Sequence, residues 1–200
     1  TQYEKLIEKV VINEGITSIG SWTFQNCNSL TNIKIPEGVT SIGESAFNGC
    51  SRIESIEIPE GVTSIESWTF YGCSSLESIK IPEGIIEIGE YAFNGCSSLE
   101  SIKIPEKVTS IGDGAFGGCS SLESIDVNIN NKYYIIENGI LFNKEKTEII
   151  QYPSAKKDIE EYVIPNTVNK IAADTFEGCG SLKSIKIPEG VTEIGISAFE

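Results

Sequence analysis

A period of 23 residues runs through this chain and constrains its fold more than any other feature. Five cysteines follow one another at that step, and a phenylalanine stands three residues before each of them. These residues are Cys27, Cys50, Cys73, Cys96 and Cys119, with Phe24, Phe47, Phe70, Phe93 and Phe116. After a gap the same unit returns with Pro165, Phe176, Cys179 and Pro188. Self-similarity at a fixed period of about 20–50 residues is typical of repeat architectures, so the sequence predicts a solenoid of stacked coils.

Each repeat contains one well-defined strand. In the repeat that spans residues 76–96, two isoleucines alternate with Ser78 and Lys80, which is the period-two pattern of a half-buried strand. Pro82 ends this strand, because proline cannot donate a hydrogen bond to a neighbouring strand. Residues 39–43 predict a second short extended segment, and residues 44–49 predict a helical or 3-10 turn. A repeat of this length has no room for a strand, a full helix and their connections.

The repeat can be written L-x-x-I-x-I-P-x-x-V-x-x-I-G-x-x-A-F-x-x-C, and the segment from Leu76 to Cys96 matches it at nearly every defined position. This pattern resembles the BspA-like bacterial surface leucine-rich repeat family. The stretch at 138–147, followed by Tyr152-Pro153, is similar to an insert found in that family. The resemblance implies a leucine-rich repeat fold and a secreted or surface-attached protein that acts by binding, including adhesion to host proteins.

The period and the resemblance together predict one leucine-rich repeat domain over residues 1–200. We expect an α/β-type or mainly-β solenoid, a right-handed superhelix with a parallel β-sheet on one face and short extended or 3-10 turns on the other. Regular coils should occupy 1–127 and 159–200, with an irregular insert at about 128–158. Within it, Asn138-Gly139 lies between two apolar stretches, which is typical of a β-hairpin. The insert is either a harmless insertion or a recognition element.

The charge balance limits the classes of partner. The chain has 29 acidic and 15 basic residues and a net charge of -14, which opposes binding to nucleic acid or an anionic membrane surface. There is no apolar run of about 18 residues, so we expect no membrane insertion. The chain has no histidine, which removes most catalytic triads and most zinc sites. The sequence therefore predicts no enzyme, no cofactor and no essential metal.

Two further features of the sequence are the absence of methionine and a glycine-rich stretch. The chain contains no methionine and stops within a repeat, from which we expect a piece of a longer protein with some exposed core at its last coil. The glycine-rich segment 112–118 lacks the spacing of a phosphate-binding loop and is better explained as one copy of the repeat.

The cysteines are predicted to form a ladder of core thiols, one per coil. Cysteine behaves as a small buried hydrophobe in such positions, and side chains in register point the same way instead of toward each other. Disulfides between neighbouring coils remain the alternative, because equivalent Cα atoms should lie within the permitted distance. The ladder consists of Cys27, Cys50, Cys73, Cys96, Cys119 and Cys179.

Candidate partner contacts come from three places in the sequence. The first is the solvent-facing row of the predicted strands, where a serine accompanies a charge: Lys34, Glu57, Lys80, Lys103, Asp126 and Lys186. The second is the insert, with Tyr133 and Tyr134. The third is the pair Trp22 and Trp68, whose repeat position also holds Asp174 and should therefore face solvent. Each set also has a plainer interpretation. The strand row can be read as a solvated face, the insert as a harmless insertion, and the tryptophans as a cover over the turn.

The predicted function is that of a non-catalytic binding module of a secreted or cell-surface protein, located outside the cell. Its foremost partner would be a protein, such as a host or matrix protein. One alternative is a structural spacer or display stalk, which the near-identity of the coils favours. Another is carbohydrate binding through the exposed aromatic side chains, with a glycan as partner. The sequence leaves the oligomeric state and the ligand open.

Overall fold

A computed structural model describes residues 6–157 and 159–200, and over these residues the chain is a mainly-β solenoid. Its strands are β1 (Lys9–Val11), β2 (Ser18–Ile19), β3 (Asn32–Lys34), β4 (Ser41–Ile42), β5 (Ser55–Glu57), β6 (Ser64–Ile65), β7 (Ser78–Lys80), β8 (Glu87–Ile88), β9 (Ser101–Ile104), β10 (Ser110–Ile111), β11 (Ser124–Val127), β12 (Tyr134–Glu137), β13 (Ile140–Asn143), β14 (Glu148–Gln151), β15 (Glu161–Val163), β16 (Lys170–Ile171), β17 (Ser184–Lys186) and β18 (Glu193–Ile194). The described part contains no helix long and apolar enough to cross a membrane.

The first strand of each coil lies parallel to its counterpart in a neighbouring coil. The pairs are β1–β3, β5–β7, β9–β11 and β15–β17. Each residue stands opposite the one 23 positions later, as Ile56 stands opposite Ile79. Because the register equals the repeat length, equivalent side chains share a face, and the isoleucine row points inward while serine and charged side chains point outward. The predicted leucine-rich repeat solenoid is confirmed, and its class is mainly β.

Hydrogen bonds join the coils on the turn side as well. In residues 45–50, the amides of residues 45, 47 and 49 donate to carbonyl oxygens of the next coil at 2.7–3.0 Å. The amides of residues 46, 48 and 50 donate to the carbonyl oxygen three positions earlier, at 3.0–3.2 Å. In the predicted 3-10 turn, four-residue turns therefore alternate with hydrogen bonds to the neighbouring coil, so every backbone amide of the segment is used.

One position of each turn has a left-handed backbone conformation regardless of residue type. Its φ lies between 50° and 62° in all seven coils where it occurs: Trp22, Ser45, Trp68, Tyr91, Gly114, Asp174 and Ser197. Non-glycine residues adopt this conformation at an energetic cost, so the surrounding hydrogen bonds must enforce it. We refer to this row as the left-handed column.

A ladder of stacked phenylalanine rings runs through the interior. Ring centroids from Phe24 to Phe116 are 5.3–5.8 Å apart, and adjacent rings are nearly parallel. Beyond the insert, Tyr152 takes the place of the next phenylalanine, with its ring 5.6 Å from that of Phe176. The amide of Tyr152 donates to Thr175 as the amide of Phe24 donates to Ala46. The coil containing Tyr152 thus rejoins the stack 36 residues after Phe116 instead of 23.

The insert is embedded between the two groups of coils. β12 and β13 form an antiparallel hairpin whose turn residues, Asn138 and Gly139, both have positive φ. β13 also pairs antiparallel with β14, which in turn pairs parallel with β16. Leu141 packs into the core of the preceding coils, whereas its neighbours Ile140 and Phe142 pack into the core of the following ones. β13 is therefore a wall shared by two hydrophobic cores.

The coil register continues a few residues into the insert before a single asparagine ends it. The amide of Asn131 donates to Asn128 at 2.8 Å, the same turn bond that Val108 makes to Pro105 one coil earlier. Asn131 is 2% exposed, and its side-chain amide donates to the carbonyl oxygens of Pro105 and Val108 at 2.9 and 3.0 Å. Its side-chain oxygen accepts from the amides of Tyr133 and Tyr134 at 2.8 and 2.9 Å. This buried side chain redirects the backbone into the hairpin.

Candidate recognition surface

The strand face presents its charged residues to solvent on a rigid backbone. All six predicted contacts on this face are exposed: Lys34, Glu57, Lys80, Lys103, Asp126 and Lys186. Lys80 donates to Glu60 at 2.9 Å, and this hydrogen bond raises the pKa of the lysine. Both side chains are largely in water, so the pair contributes little to stability. Most rows of the face repeat a hydroxyl beside a charge, although the sign of the charge varies from coil to coil.

The insert separates its two tyrosines. Tyr133 is 49% exposed, whereas Tyr134 is 8% exposed and its hydroxyl accepts a hydrogen bond from the amide of Ile111 at 2.8 Å. Burial raises the pKa of Tyr134 to about 12. Tyr134 is therefore a structural residue that satisfies the edge of β10, and only Tyr133 of this predicted pair is available to a partner.

Tyr133 lines an open groove of about 310 Å³ between the insert and the preceding coils. Its other lining residues are Ile86, Glu106, Lys107, Thr109, Asn130 and Lys132. Sequence reasoning did not select Ile86, Lys107 or Lys132. A signal for two of them is present in the repeat itself, since the other regular coils carry mostly threonine at the position of Ile86 and mostly glycine at that of Lys107.

A second, narrower cleft of about 210 Å³ lies between β10, the insert and β16. At the edge of this cleft, Lys170 lies near three carboxylates. The ammonium nitrogen of Lys170 is 2.8 Å from Glu148, 3.8 Å from Asp113 and 3.9 Å from Glu193. The hydrogen bond to Glu148 is the main reason that the pKa of Lys170 is raised. These contacts place Lys170 between a coil before the insert, a strand of the insert and a second coil after it, with its short ion pair made to the insert.

The two tryptophans occupy different environments although they share the left-handed column. Trp22 is 57% exposed. Trp68 is partly buried, and its ring centroid is 4.5 Å from that of Tyr91 and 4.9 Å from that of Tyr71. Ser45 and Asp174, in the same column, are each 5% exposed. The prediction that this column faces solvent is therefore wrong for several of its members. The members share a backbone conformation, and their exposure differs from coil to coil.

The glycine-rich segment 112–118 makes room for side chains from two neighbouring coils. A Cβ at Gly114 would lie 2.5 Å from the ring of Tyr91, and a Cβ at Gly117 would lie 2.5 Å from the Cβ of Asp174. Asp174 accepts a hydrogen bond from the side-chain amide of Asn94 at 2.9 Å. These glycines thus allow the first coil after the insert to contact the coils before it.

The thiols lie inside the stack. Cys50, Cys73, Cys96 and Cys119 each donate from Sγ to the carbonyl oxygen of a phenylalanine in the preceding coil, at 3.1–3.3 Å. Burial raises the pKa of Cys50 and Cys119 to about 12. The described residues contain no disulfide, and Cys179 is the one cysteine with partial exposure. Within the described residues, no cluster of Cys, Asp or Glu side chains is arranged to hold a metal ion.

The sequence profile described as "BspA type Leucine rich repeat region" matches this chain in six copies, over residues 2–123, 46–163 and 147–200. The chain belongs to the BspA-type leucine-rich repeat family. A comparison with curated proteins found no match.

Solved structures of bacterial leucine-rich repeat proteins are similar to this member of the family. One from Eubacterium ventriosum has 37% identity and a TM-score of 0.85, with 99% of this chain covered and 52% of the other. A leucine-rich cell surface protein from Faecalibacterium prausnitzii has 35% identity and a TM-score of 0.87, with coverage of 96% and 52%. The pneumococcal vaccine antigen PcpA has 27% identity and a TM-score of 0.77, with coverage of 96% and 48%. The chain thus spans about half the length of these proteins.

Proposed function

We propose that this chain is a non-catalytic recognition module displayed outside the cell, and that its partner is a protein. The BspA-type fold supports this, as does the similarity to a structure described as a cell surface protein and to one described as a vaccine antigen. Adhesion to a host or matrix protein is the specific form of recognition that we propose.

The observation that carries the proposal is the arrangement of exposed side chains on the strand face. Charged side chains from successive coils lie on one surface whose backbone is fixed by parallel pairing. A surface that is already rigid loses little conformational freedom when a partner binds, so more of the contact energy appears as affinity. Four of the thiols, in contrast, are buried against backbone carbonyls, where they are protected from chemistry with solutes: Cys50, Cys73, Cys96 and Cys119.

A spacer or display stalk is the second candidate, favoured by the near-identity of the coils. Residues 73–83 and 96–106 have the same sequence, CSSLESIKIPE. A selective surface needs rows that differ from coil to coil, and most rows of the strand face differ little. A stalk needs only the stacking that such repetition provides.

The test is to probe labelled chain against arrays of purified host and matrix proteins and of glycans. We expect saturable binding to a protein, lost when Lys34, Lys80 and Lys103 are replaced together by glutamate. The matched control replaces Lys144, Lys156 and Lys157, which belong to the insert and to none of the strands of that face, in the same way. Binding to glycans alone would contradict a protein partner, and binding to neither array would favour the stalk.

Deleting residues 128–158 is unsuitable as a test of the insert's role. The deletion would remove Leu141 from one core and Phe142 from the other, so loss of binding would follow from unfolding. Substitutions of exposed side chains separate recognition from folding, and the groove beside Tyr133 offers several.

A further inference from the structure

Two residues of the groove differ from the residue type that their repeat position carries elsewhere. Ile86 is 47% exposed and takes a position that is otherwise polar in the regular coils, as in Thr17, Thr40, Thr63, Thr109, Asn169 and Thr192. Lys107 is exposed and takes a position held elsewhere by Gly15, Gly38, Gly61, Gly84, Thr167 and Gly190. Both side chains face solvent, so stacking of the coils does not require either change. The two departures lie on neighbouring coils and line the same groove.

The first residues of the insert add two exposed apolar side chains, Ile129 and Tyr133, of which Tyr133 lines the groove. Ile129 occupies a repeat position at which the four preceding coils carry glutamate: Glu37, Glu60, Glu83 and Glu106. The hydrogen bond from the amide of Asn131 to Asn128 keeps the turn of the earlier coils, and within this turn Ile129 is 94% exposed. Tyr133 lines the groove together with Asn130. Exposed apolar side chains that cluster within a polar rim mark contact surfaces.

We propose that this groove binds an extended segment of the protein partner in which an apolar side chain is flanked by carboxylates. This rests on the proposed function, since it assumes a protein partner. Ile86 and Tyr133 form apolar walls that an aliphatic or aromatic side chain would fill, the kind of central contact that carries most of the affinity in an interface. The groove volume of about 310 Å³ is enough for such a side chain and its backbone.

The charges around the groove select the flanking groups of that segment. Lys107 and Lys132 lie on its rim and would pair with carboxylates, while Glu106 repels a carboxylate at its own edge. The net charge of -14 opposes an acidic partner at long range. At physiological salt that field is screened beyond about 8 Å, so the two rim lysines decide the preference at contact.

The experiment measures fluorescence anisotropy of short synthetic peptides with the full chain. The probe has a central Phe-Leu flanked by Asp and Glu. One comparison peptide has Lys in place of the acidic residues, and another has Ser in place of Phe-Leu. We expect only the first to bind, and Ile86→Thr and Tyr133→Ser each to weaken binding by about tenfold. Lys107→Gly should weaken it by a smaller factor.

Ile86→Thr and Lys107→Gly install residues that other coils carry at these positions, so both variants are expected to fold. The matched controls Thr40→Ile and Gly38→Lys make the reverse changes two and three coils before the groove residues that they mirror, and should leave binding unchanged. Preference for the basic peptide, or equal binding to the variants, would overturn the proposal. So would self-association of the chain that Ile86→Thr abolishes, because a second copy would then occupy the groove.

The outcomes separate the two proposals. A protein found on the array whose binding is unaffected by Ile86→Thr and Tyr133→Ser would leave the recognition module standing and exclude this groove as its site. Absence of any protein partner would instead refute the recognition module itself.

Discussion

The regular coils and the insert are held together by different means. In the regular coils, each contact is repeated 23 residues later, as the stacking of phenylalanine rings and the parallel pairing of strands show. In the insert, single residues act without a counterpart: Asn131 ends the register, and β13 divides its two faces between two cores. Repetition distributes stability over many equal contacts, whereas the insert concentrates it in a few residues.

The first prediction concerns the regular coils. Phe70→Ala removes a ring that stacks on both neighbours, at 5.6 and 5.4 Å, and should lower the free energy of unfolding by about 3–5 kcal/mol. Phe199→Ala removes a ring that is 43% exposed and should cost well under half as much. Urea denaturation followed by circular dichroism measures both. Equal losses would mean that the ladder is not the main source of stability in the stack.

The second prediction concerns the insert. Asn131→Val restores the residue that the repeat carries at this position, as in Val108, yet it removes four hydrogen bonds from a buried site. We expect a loss of about 2–4 kcal/mol in the same assay, because the carbonyl oxygens of Pro105 and Val108 are left unsatisfied. A variant as stable as the parent protein would show that the repeat pattern, and not this side chain, governs the junction.

The third prediction tests the contact between the two groups of coils. Gly117→Ala places a Cβ 2.5 Å from the Cβ of Asp174 and 2.6 Å from the side-chain amide of Asn94. The overlap should cost about 1–3 kcal/mol. Gly180→Ala is the matched control, since nothing lies within 4 Å of its added Cβ. If the two variants unfold alike, the contact across the insert is looser than the structure indicates.

The smallest expected effect is a dependence on pH at the same contact. Burial, followed by the charge of Glu200, raises the pKa of Asp174 above its value in the unfolded chain. The protonated form is thus favoured by folding, and this contribution to stability is full below the unfolded pKa and lost as pH rises through the folded pKa. Asp174→Asn should therefore flatten the decline in stability between acidic and neutral pH. A thermal melt series over that range compares the two proteins, and parallel profiles would argue against a role for Asp174.

Much of the fold follows from the sequence because each column is sampled many times. The isoleucine alternation around Ile79 and the step of the cysteines predict the strand, its register and the stack, and these are confirmed. The left-handed column was missed because its members, such as Trp68 and Asp174, share a backbone conformation that their side chains do not reveal.

The insert and the groove were harder to predict, since their residues occur once. Tyr152 rejoins the phenylalanine ladder at an irregular distance, so the period does not identify it. Asn131 acts through hydrogen bonds to backbone groups that are remote in sequence. Ile86 and Lys107 do carry a signal, but it becomes meaningful only when the structure places both beside Tyr133.

The shared strand β13 has a consequence for how the molecule loses its structure. A uniform stack can fray coil by coil from either end, since each coil depends only on its neighbours. Loosening of the coils before the insert would release Leu141, yet Ile140 and Phe142 would still anchor the strand from the other side. We therefore expect fraying that begins at one end to slow at this strand. A stack pulled from one end should lose the coils on that side of β13 before those on the other.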